Sequence, residues 1–350
     1  MTLAERFCAF FAAANDGVEP YPWQVELVRR VAATGSWPHI SAPTGAGKSA
    51  VVDVHVFVVA EHAAGALTVR PPRRLALVSP RRVLVDDQYE RAMHLAARLA
   101  VAPADGPLAR AAAALRTLLT SEIDEPSASP LLVWRLRGGV RAETGWRMEP
   151  AACQIICSTP QMWGSRVLLR GYGASRSSRN LESGLMSHDT VAVIDEAHLH
   201  ERLVDTATRV ASYCRGPATP QVIAMSATGL DRLGQLGLSE EDLADRTLAR
   251  RVDPAKHVQQ VAIADFRRPA VEVVTAARGA AGRGTVGVFV NDVPTALAVT
   301  GALGDAGATV ELVCGRMRPA DLEHLRRRRP QLLTAAGDPG GRVPGLDPVA

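Results

Sequence analysis

The stretch SAPTGAGKSA at 41–50 keeps a lysine inside a glycine-rich turn of a chain that otherwise avoids lysine. Lysine occurs only at Lys48 and Lys256, while arginine is spread throughout. Such a composition supplies arginine wherever any positive charge serves. A site that requires a compact ammonium on a flexible stem retains lysine instead, and a phosphate cradle is such a site. APTGAGKS fits G-x-x-x-x-G-K-[ST] except at its first glycine, which is Ala42. The N–H groups of Thr44, Gly45, Ala46, Gly47 and Lys48 can curl around a β-phosphate at a helix N-terminus. Lys48 then reaches the β- and γ-phosphates, and the Ser49 hydroxyl ligates Mg²⁺.

VAVIDEAH (191–198) supplies the complementary chemistry. An apolar strand ending in Asp195 and Glu196 sets two carboxylates at the carboxyl edge of a sheet, where ligands bind in open α/β folds. Asp195 would hold Mg²⁺ through its water shell, and Glu196 would orient and deprotonate an attacking water. MSATG (225–229) puts Ser226 and Thr228 at another strand end. His198 and His200 follow the carboxylates without a third metal ligand nearby. The dipeptide His188-Asp189 has no helically spaced histidines to make a metal-dependent nuclease.

These residues need a scaffold, and the apolar runs provide one. RLALVS (74–79), QIICS (154–158), TVAVID (190–195) and QVIAMS (221–226) lack alternation, as strands buried on both faces do. A second set, AVEVVT (270–275), TVGVFV (285–290) and TVELVC (309–314), follows a charged stretch at 231–269 that reads as a connection. Helical patterns cover 22–33, 82–100 and 317–328. Residues 100–150 read as an insertion: an alanine-rich helix, the loop DEPSASP, then LLVWRLRGGV. The expectation is an α/β doubly wound parallel sheet followed by a second α/β unit.

Bulk composition bounds the rest. The 350 residues suffice for two domains, and 47% hydrophobic content suffices for their cores. A net charge of +4 permits nucleic acid as a partner without requiring it. The densest basic run, RRRRP at 326–330, reads as a solvated helix end. Cysteines at 8, 153, 157, 214 and 314 form no C-x-x-C pair, and Cys153 and Cys157 would share one strand face as small buried apolar groups. The N-terminal MTLAERFCAFFAAANDG is too short and too acidic for a signal peptide or membrane span, so the sequence reads as cytoplasmic with no membrane partner.

Taken in order, YPWQVELV, APTGAGKS, SPRRVLVDDQ, LRGG, CSTPQMW, VIDEAH and MSAT resemble the motif series of superfamily 2 DEAD/DEAH-box helicases. LRGGV, STPQMWGSRVLLRGYGASRS and DEAHLHERL narrow the resemblance to the helicase–nuclease of type I CRISPR interference systems, U (now G) subtype. The resemblance implies a RecA-like first lobe over 1–230, the 231–269 connection, and the start of a second RecA-like lobe over 270–350. It implies that Gln24 contacts the adenine edge. Pro80, Arg81, Gly138, Gly139, Thr159 and Pro160 would line a single-strand track, and Ser226 and Thr228 would couple nucleotide state to lobe movement. VGVFVNDVPTALAV and LVCGRMRPADLEHL are similar to segments that open the second lobe.

The family continues to T-x-x-x-E-x-G-x-D and Q-x-x-G-R motifs absent before Ala350, so the second lobe is expected to be incomplete and any nuclease to lie beyond it. Turnover by this portion alone is therefore in question. The implied activity is ATP- and Mg²⁺-dependent translocation on single-stranded DNA after recruitment by a Cascade-type surveillance complex. Aromatic residues make up 4% of the chain, too few for a row of base-stacking platforms, which favours backbone gripping without sequence preference. Two alternatives stand beside it: another superfamily 2 motor acting in repair or on RNA, and a nucleotide-dependent binding module with little hydrolysis.

Overall fold

In the computed structural model, residues 1–120, 129–140, 143–216, 218–227, 234–252, 258, 260–262, 269–280, 286–315 and 317–329 are described. The strands are β1 (Ile40–Ser41), β2 (Arg74–Val78), β3 (Leu132–Leu136), β4 (Gln154–Ser158), β5 (Thr190–Ile194) and β6 (Gln221–Ser226). They form one parallel sheet in the order β1-β6-β5-β2-β4-β3. Between and after them come α1 (Leu3–Ala14), α2 (Pro22–Thr34), α3 (Val51–Ala63), α4 (Arg82–Ala100), α5 (Pro107–Arg116), α6 (Pro160–Val167), α7 (Ser178–Met186) and α8 (Glu201–Tyr213). Then follow α9 (Glu240–Ala244), α10 (Arg246–Val252), α11 (Pro269–Ala280), α12 (Val293–Asp305) and α13 (Pro319–Arg328).

The period-two alternation of strand side chains divides the core. Leu75, Leu77, Cys153, Ile155, Cys157, Val191, Val193, Ile223 and Met225 face α1 to α5. Ala76, Val78, Ile156, Ala192, Ile194 and Ala224 face α6 and α8. Cys153 and Cys157 thus share a face and are buried, as their spacing predicts. α3 is buried at every position from Val51 to Ala60, which explains its nearly unbroken apolar sequence.

The chain divides into compact units at 1–255 and 256–350. In the first, the stretch read as an insertion supplies structural parts: α5 packs on α3, and β3 completes the sheet edge beside β4. Its mixed sequence follows from that edge position, where only Val133 and Leu136 of the strand are buried. The stretch read as a connection includes α9 and α10, which belong to the first unit. In the second unit, 270–275 is helical rather than extended. Ala277 is buried with Val299 and Leu303, while Val273 and Val274 pack beside them, a three- and four-residue spacing that makes one helix face. At 286–290 and 309–314 no strand pairing exists among the described residues.

Candidate nucleotide and nucleic-acid site

β1 delivers the chain into the glycine turn at the carboxyl edge of the sheet. Gly45 and Gly47 take φ values of +87° and +74°, which favour glycine. A Cβ on Gly47 would lie 2.7 Å from the Gln24 amide nitrogen. Ala42 has no positive φ, so the pattern's missing first glycine is not required by the backbone here. Ala42 lies against β6, donating its N–H to the Ser226 carbonyl at 3.0 Å. Lys48 Nζ donates to the Ala42 carbonyl at 3.0 Å. The amides of Gly45, Gly47 and Lys48 donate to no backbone group among the described residues, leaving N–H groups for an anion.

α2 braces this turn. Trp23 Nε1 donates to the Ala46 carbonyl at 3.0 Å, and Gln24 Nε2 to the Gly47 carbonyl at 3.0 Å. Gln24 Oε1 accepts from the Tyr21 amide at 2.9 Å, so both ends of its side chain are engaged. Behind the turn, Arg91 of α4 pairs with buried Asp53 and donates to the Ser49 carbonyl at 3.3 Å.

β5 enters the same edge from two strands away. Asp195 accepts from the Glu196 amide at 3.0 Å, and Glu196 Oε1 lies 4.0 Å from Lys48 Nζ. Glu196 itself is left-handed (φ 49°), a costly conformation for a residue with a side chain. Burial pushes the Asp195 carboxyl above its ordinary value; Lys48 opposes the shift and Glu196 adds to it. A desolvated carboxylate with a second one adjoining is a place where a divalent cation relieves charge, so Asp195 and the Ser49 hydroxyl suit Mg²⁺ chemically. His198 Nδ1 lies 2.9 Å from Ser226 Oγ and 3.5 Å from Glu196 Oε2, joining β5 to β6. Thr228 lies outside the described residues.

The other half of the edge gathers the proposed track. Pro80 and Arg81 follow β2, Gly138 and Gly139 follow β3, and Thr159 and Pro160 follow β4. Arg81 is exposed at the N-cap of α4, whereas Thr159 and Pro160 are buried at the start of α6. Gly139 is left-handed (φ +85°). Sequence reasoning missed what holds the glycine turn. Arg137, 5% exposed, donates from Nε and Nη2 to Asp86 at 2.7 Å each and from Nη1 to the Gly138 carbonyl at 3.0 Å. Arg135 also donates to Asp86, at 3.0 Å. Arg82 lies over both glycines, its nitrogens 3.2 and 3.4 Å from where their Cβ atoms would be. SPRRVLVDDQ carries the signal, since Arg82 and Asp86 lie in it beside Arg81.

Asp189 sits at the opposite, amino end of β5. Buried, it accepts from the Arg73 amide (3.1 Å), Arg73 Nε (2.6 Å) and Arg70 Nη2 (3.0 Å). Burial alone would raise its pKa, but the Arg73 hydrogen bonds and charge outweigh it and the carboxyl lies below its ordinary value. This is a structural anchor. Among the described residues no group of three or more His, Cys, Asp or Glu could hold a metal. GSRVLLRGYGASRS folds around Arg166, which is buried against Glu182 at 3.0 Å while Arg147 pairs with Glu182 at 3.2 Å. No described helix is long and apolar enough to cross a membrane.

A family model of DEAD/DEAH box helicases matches residues 21–233, well over half the chain. No curated protein matches it significantly. Among solved structures, the DUF1998 helicase MrfA bound to DNA superposes with a TM-score of 0.50 at 14% identity, over 93% of this chain and 43% of that one. S. cerevisiae Dbp5, in a variant bound to RNA and ADP BeF3, gives a TM-score of 0.49 at 16% identity, over 94% and 72%. The chain therefore spans under half the length of MrfA. The six-stranded parallel sheet with flanking helices is the RecA-like helicase fold.

Proposed function

This chain belongs to the DEAD/DEAH box helicase family, and we propose that it is an ATP- and Mg²⁺-dependent motor on single-stranded DNA, acting in type I CRISPR interference after recruitment by a Cascade-type complex. The observation that carries the motor reading is one sheet edge with two adjoining halves: Lys48 and Glu196, 4.0 Å apart, on one side, and the Gly138–Gly139 turn beneath Arg82 on the other. In this reading Lys48 releases the Ala42 carbonyl to bind the β- and γ-phosphates, and the turn's open amides bind the β-phosphate. Glu196 orients a water toward the γ-phosphorus and takes its proton as the bond to ADP breaks. Bound Mg²⁺, held by Ser49 and through water by Asp195, would neutralise charge on the phosphoryl oxygens. Gln24 reads adenine by giving up one of its two present bonds. His198 carries nucleotide state to Ser226, and Thr228 completes that coupling.

The track grips phosphates through glycine amides and arginines, without base readout. The CRISPR assignment rests on the resemblance of residues 164–177, built here on the Arg166–Glu182 pair. Strand displacement on tailed DNA and RNA substrates tests the proposal. ATP-dependent activity on DNA, lost in Glu196→Gln and stimulated by a target-bound surveillance complex, is expected. Preference for RNA would favour the second reading, a motor on RNA.

A further inference from the structure

Between Trp163 of α6 and Glu182 of α7 the chain carries arginines at 166, 170, 176 and 179 and no acidic residue. Arg166 alone among them has an acidic partner among the described residues, the buried Glu182 at 3.0 Å. It also donates from Nη1 to the Met162 carbonyl at 2.9 Å and from Nη2 to the Tyr172 carbonyl at 3.4 Å. Ser165 fixes the same loop from the other side. Its carbonyl accepts from the Arg170 and Gly171 amides at 2.7 and 2.9 Å, and its hydroxyl accepts from the Tyr172 amide at 3.2 Å. Gly171 is buried against α7, where a Cβ would lie 2.9 Å from Arg179 Cγ. Buried groups thus hold the backbone of 168–174 from beneath, yet its large side chains turn outward. Leu168 and Leu169 are exposed, and Tyr172 is 58% exposed. Leu169 is left-handed (φ 59°), which costs a residue with a Cβ about 1–2 kcal/mol. No burial of its side chain offsets that cost. Arg170 and Arg176 are exposed on either side of Tyr172 in the chain. Strain held in place by a buried frame, beneath an outward face of this kind, points to a use outside the fold.

We propose that the loop 168–176 is a second grip on single-stranded nucleic acid, outside the glycine track, in which Arg170 and Arg176 hold backbone phosphates and Tyr172 stacks on one base. This rests on the track reading above. The loop is joined to the track by α6, whose N-cap is Thr159. The eight residues of that helix span about 12 Å, the length of about four stacked nucleotides. Charge favours a polyanion as the occupant, since the loop offers guanidinium groups and no carboxylate. Cations for phosphate beside a ring for a base is the combination that binds single strands without reading their sequence. One tyrosine also fits a chain poor in aromatic residues, as a single platform and not a row. The buried Arg166–Glu182 pair then has a purpose beyond packing: it fixes the Tyr172 carbonyl and so the direction in which the ring is presented.

Fluorescence anisotropy with a length series of oligothymidylates tests the second grip across wild type, Arg170→Ala/Arg176→Ala, Tyr172→Ala, Tyr172→Phe and Gly139→Asp. The three loop side chains are exposed, so their variants should keep the wild-type thermal midpoint. Wild-type affinity should step upward once the oligomer outgrows the track by about four nucleotides. In Arg170→Ala/Arg176→Ala that step should vanish, a loss of about tenfold on the long oligomers. Their slope of log K against log salt should flatten by about 1.4, for two lost contacts to a single strand. Tyr172→Ala should lose about tenfold on the long oligomers with the slope unchanged, and Tyr172→Phe should bind as wild type, because stacking needs the ring and not the hydroxyl. Short oligomers should bind all four of these proteins alike. A step that persists in both alanine variants overturns the proposal and leaves the loop as a surface for a protein partner. An equal loss at every length overturns it too, by making the loop a support of the track. Gly139→Asp should weaken every length. Wild-type binding there, with the loop variants defective on long oligomers, would remove the glycine turn from the track and leave the second grip standing.

Discussion

Replacing Asp86 by alanine should damage one half of the sheet edge and spare the other. Arg137 is 5% exposed, and its guanidinium is satisfied by two 2.7 Å bonds to Asp86 and one 3.0 Å bond to the Gly138 carbonyl. Removing the carboxylate leaves a buried cation without its counter-charge, a loss of about 3–5 kcal/mol. Arg135 loses less, because its guanidinium also stands 4.6 Å from the Tyr89 ring centroid. At about 2–4 °C per kcal/mol for a unit of this size, the thermal midpoint should fall by roughly 10 °C. The Gly138–Gly139 turn, no longer fixed through Arg137, should bind single-stranded DNA about tenfold more weakly by fluorescence anisotropy, equivalent to about 1.4 kcal/mol. ATP affinity should hold within about twofold, the turn at Lys48 being braced independently through Trp23 and Arg91. The double variant Asp86→Leu/Arg137→Met should recover most of the stability, since paired apolar replacements of buried ion pairs are often neutral. It should not recover DNA binding, because Gly138 still lacks its donor. A midpoint drop below about 3 °C, or ATP affinity falling as far as DNA affinity, would refute this reasoning.

Three other outcomes follow from the same contacts. Gly139→Asp keeps a residue that tolerates φ +85° but sets a carboxylate within reach of Arg82 and Arg137; single-stranded DNA affinity should fall and the slope of log K against log salt should flatten by about 1, and an unchanged slope would remove these arginines from the track. Gly47→Ala should weaken ATP binding by about ten- to a hundredfold, since the methyl meets Gln24 Nε2 at 2.7 Å in a left-handed backbone; calorimetry showing wild-type affinity would mean the turn re-forms freely. His55 is fully buried, and its pKa is lowered to about 4 by that burial, from 6.5. The unfolded chain binds the extra proton between these values, so stability is full above pH 6.5 and falls by about 3 kcal/mol as pH drops toward 4. Urea unfolding at pH 7.5 and pH 5.0 should show the loss, and His55→Leu should remove that part of the slope.

Much of the edge was legible because its residues are constrained by chemistry at fixed spacing. Asp195 and Glu196 follow the end of β5, Lys48 closes the glycine turn seven residues after β1, and the four strands of unbroken apolar residues lie where their runs predict. β3 is not legible as part of the sheet, since an edge strand buries fewer side chains and WRLR reads as surface. The valines of 270–275 suggested extension, but a β-branched run becomes helical when its spacing fits a helical contact, as Val273, Val274 and Ala277 do. Asp242 carried a legible sign, the S-x-x-D of a capping box. Its partner, Trp23, is 219 residues away, and no local pattern discloses such a contact. The same holds for Asp86, whose role is set by Arg137 51 residues downstream.

In the proposed function Lys48 lies in a phosphate cradle and exchanges its present bond to the Ala42 carbonyl for nucleotide. Titrating ATP with Mg²⁺ into wild type, Lys48→Ala and Lys48→Arg by calorimetry tests it most directly. Wild type should bind, Lys48→Ala should lose about a hundredfold or more, and Lys48→Arg should recover little, because its wide planar fork cannot replace a compact ammonium. Equal affinity in all three proteins would contradict it.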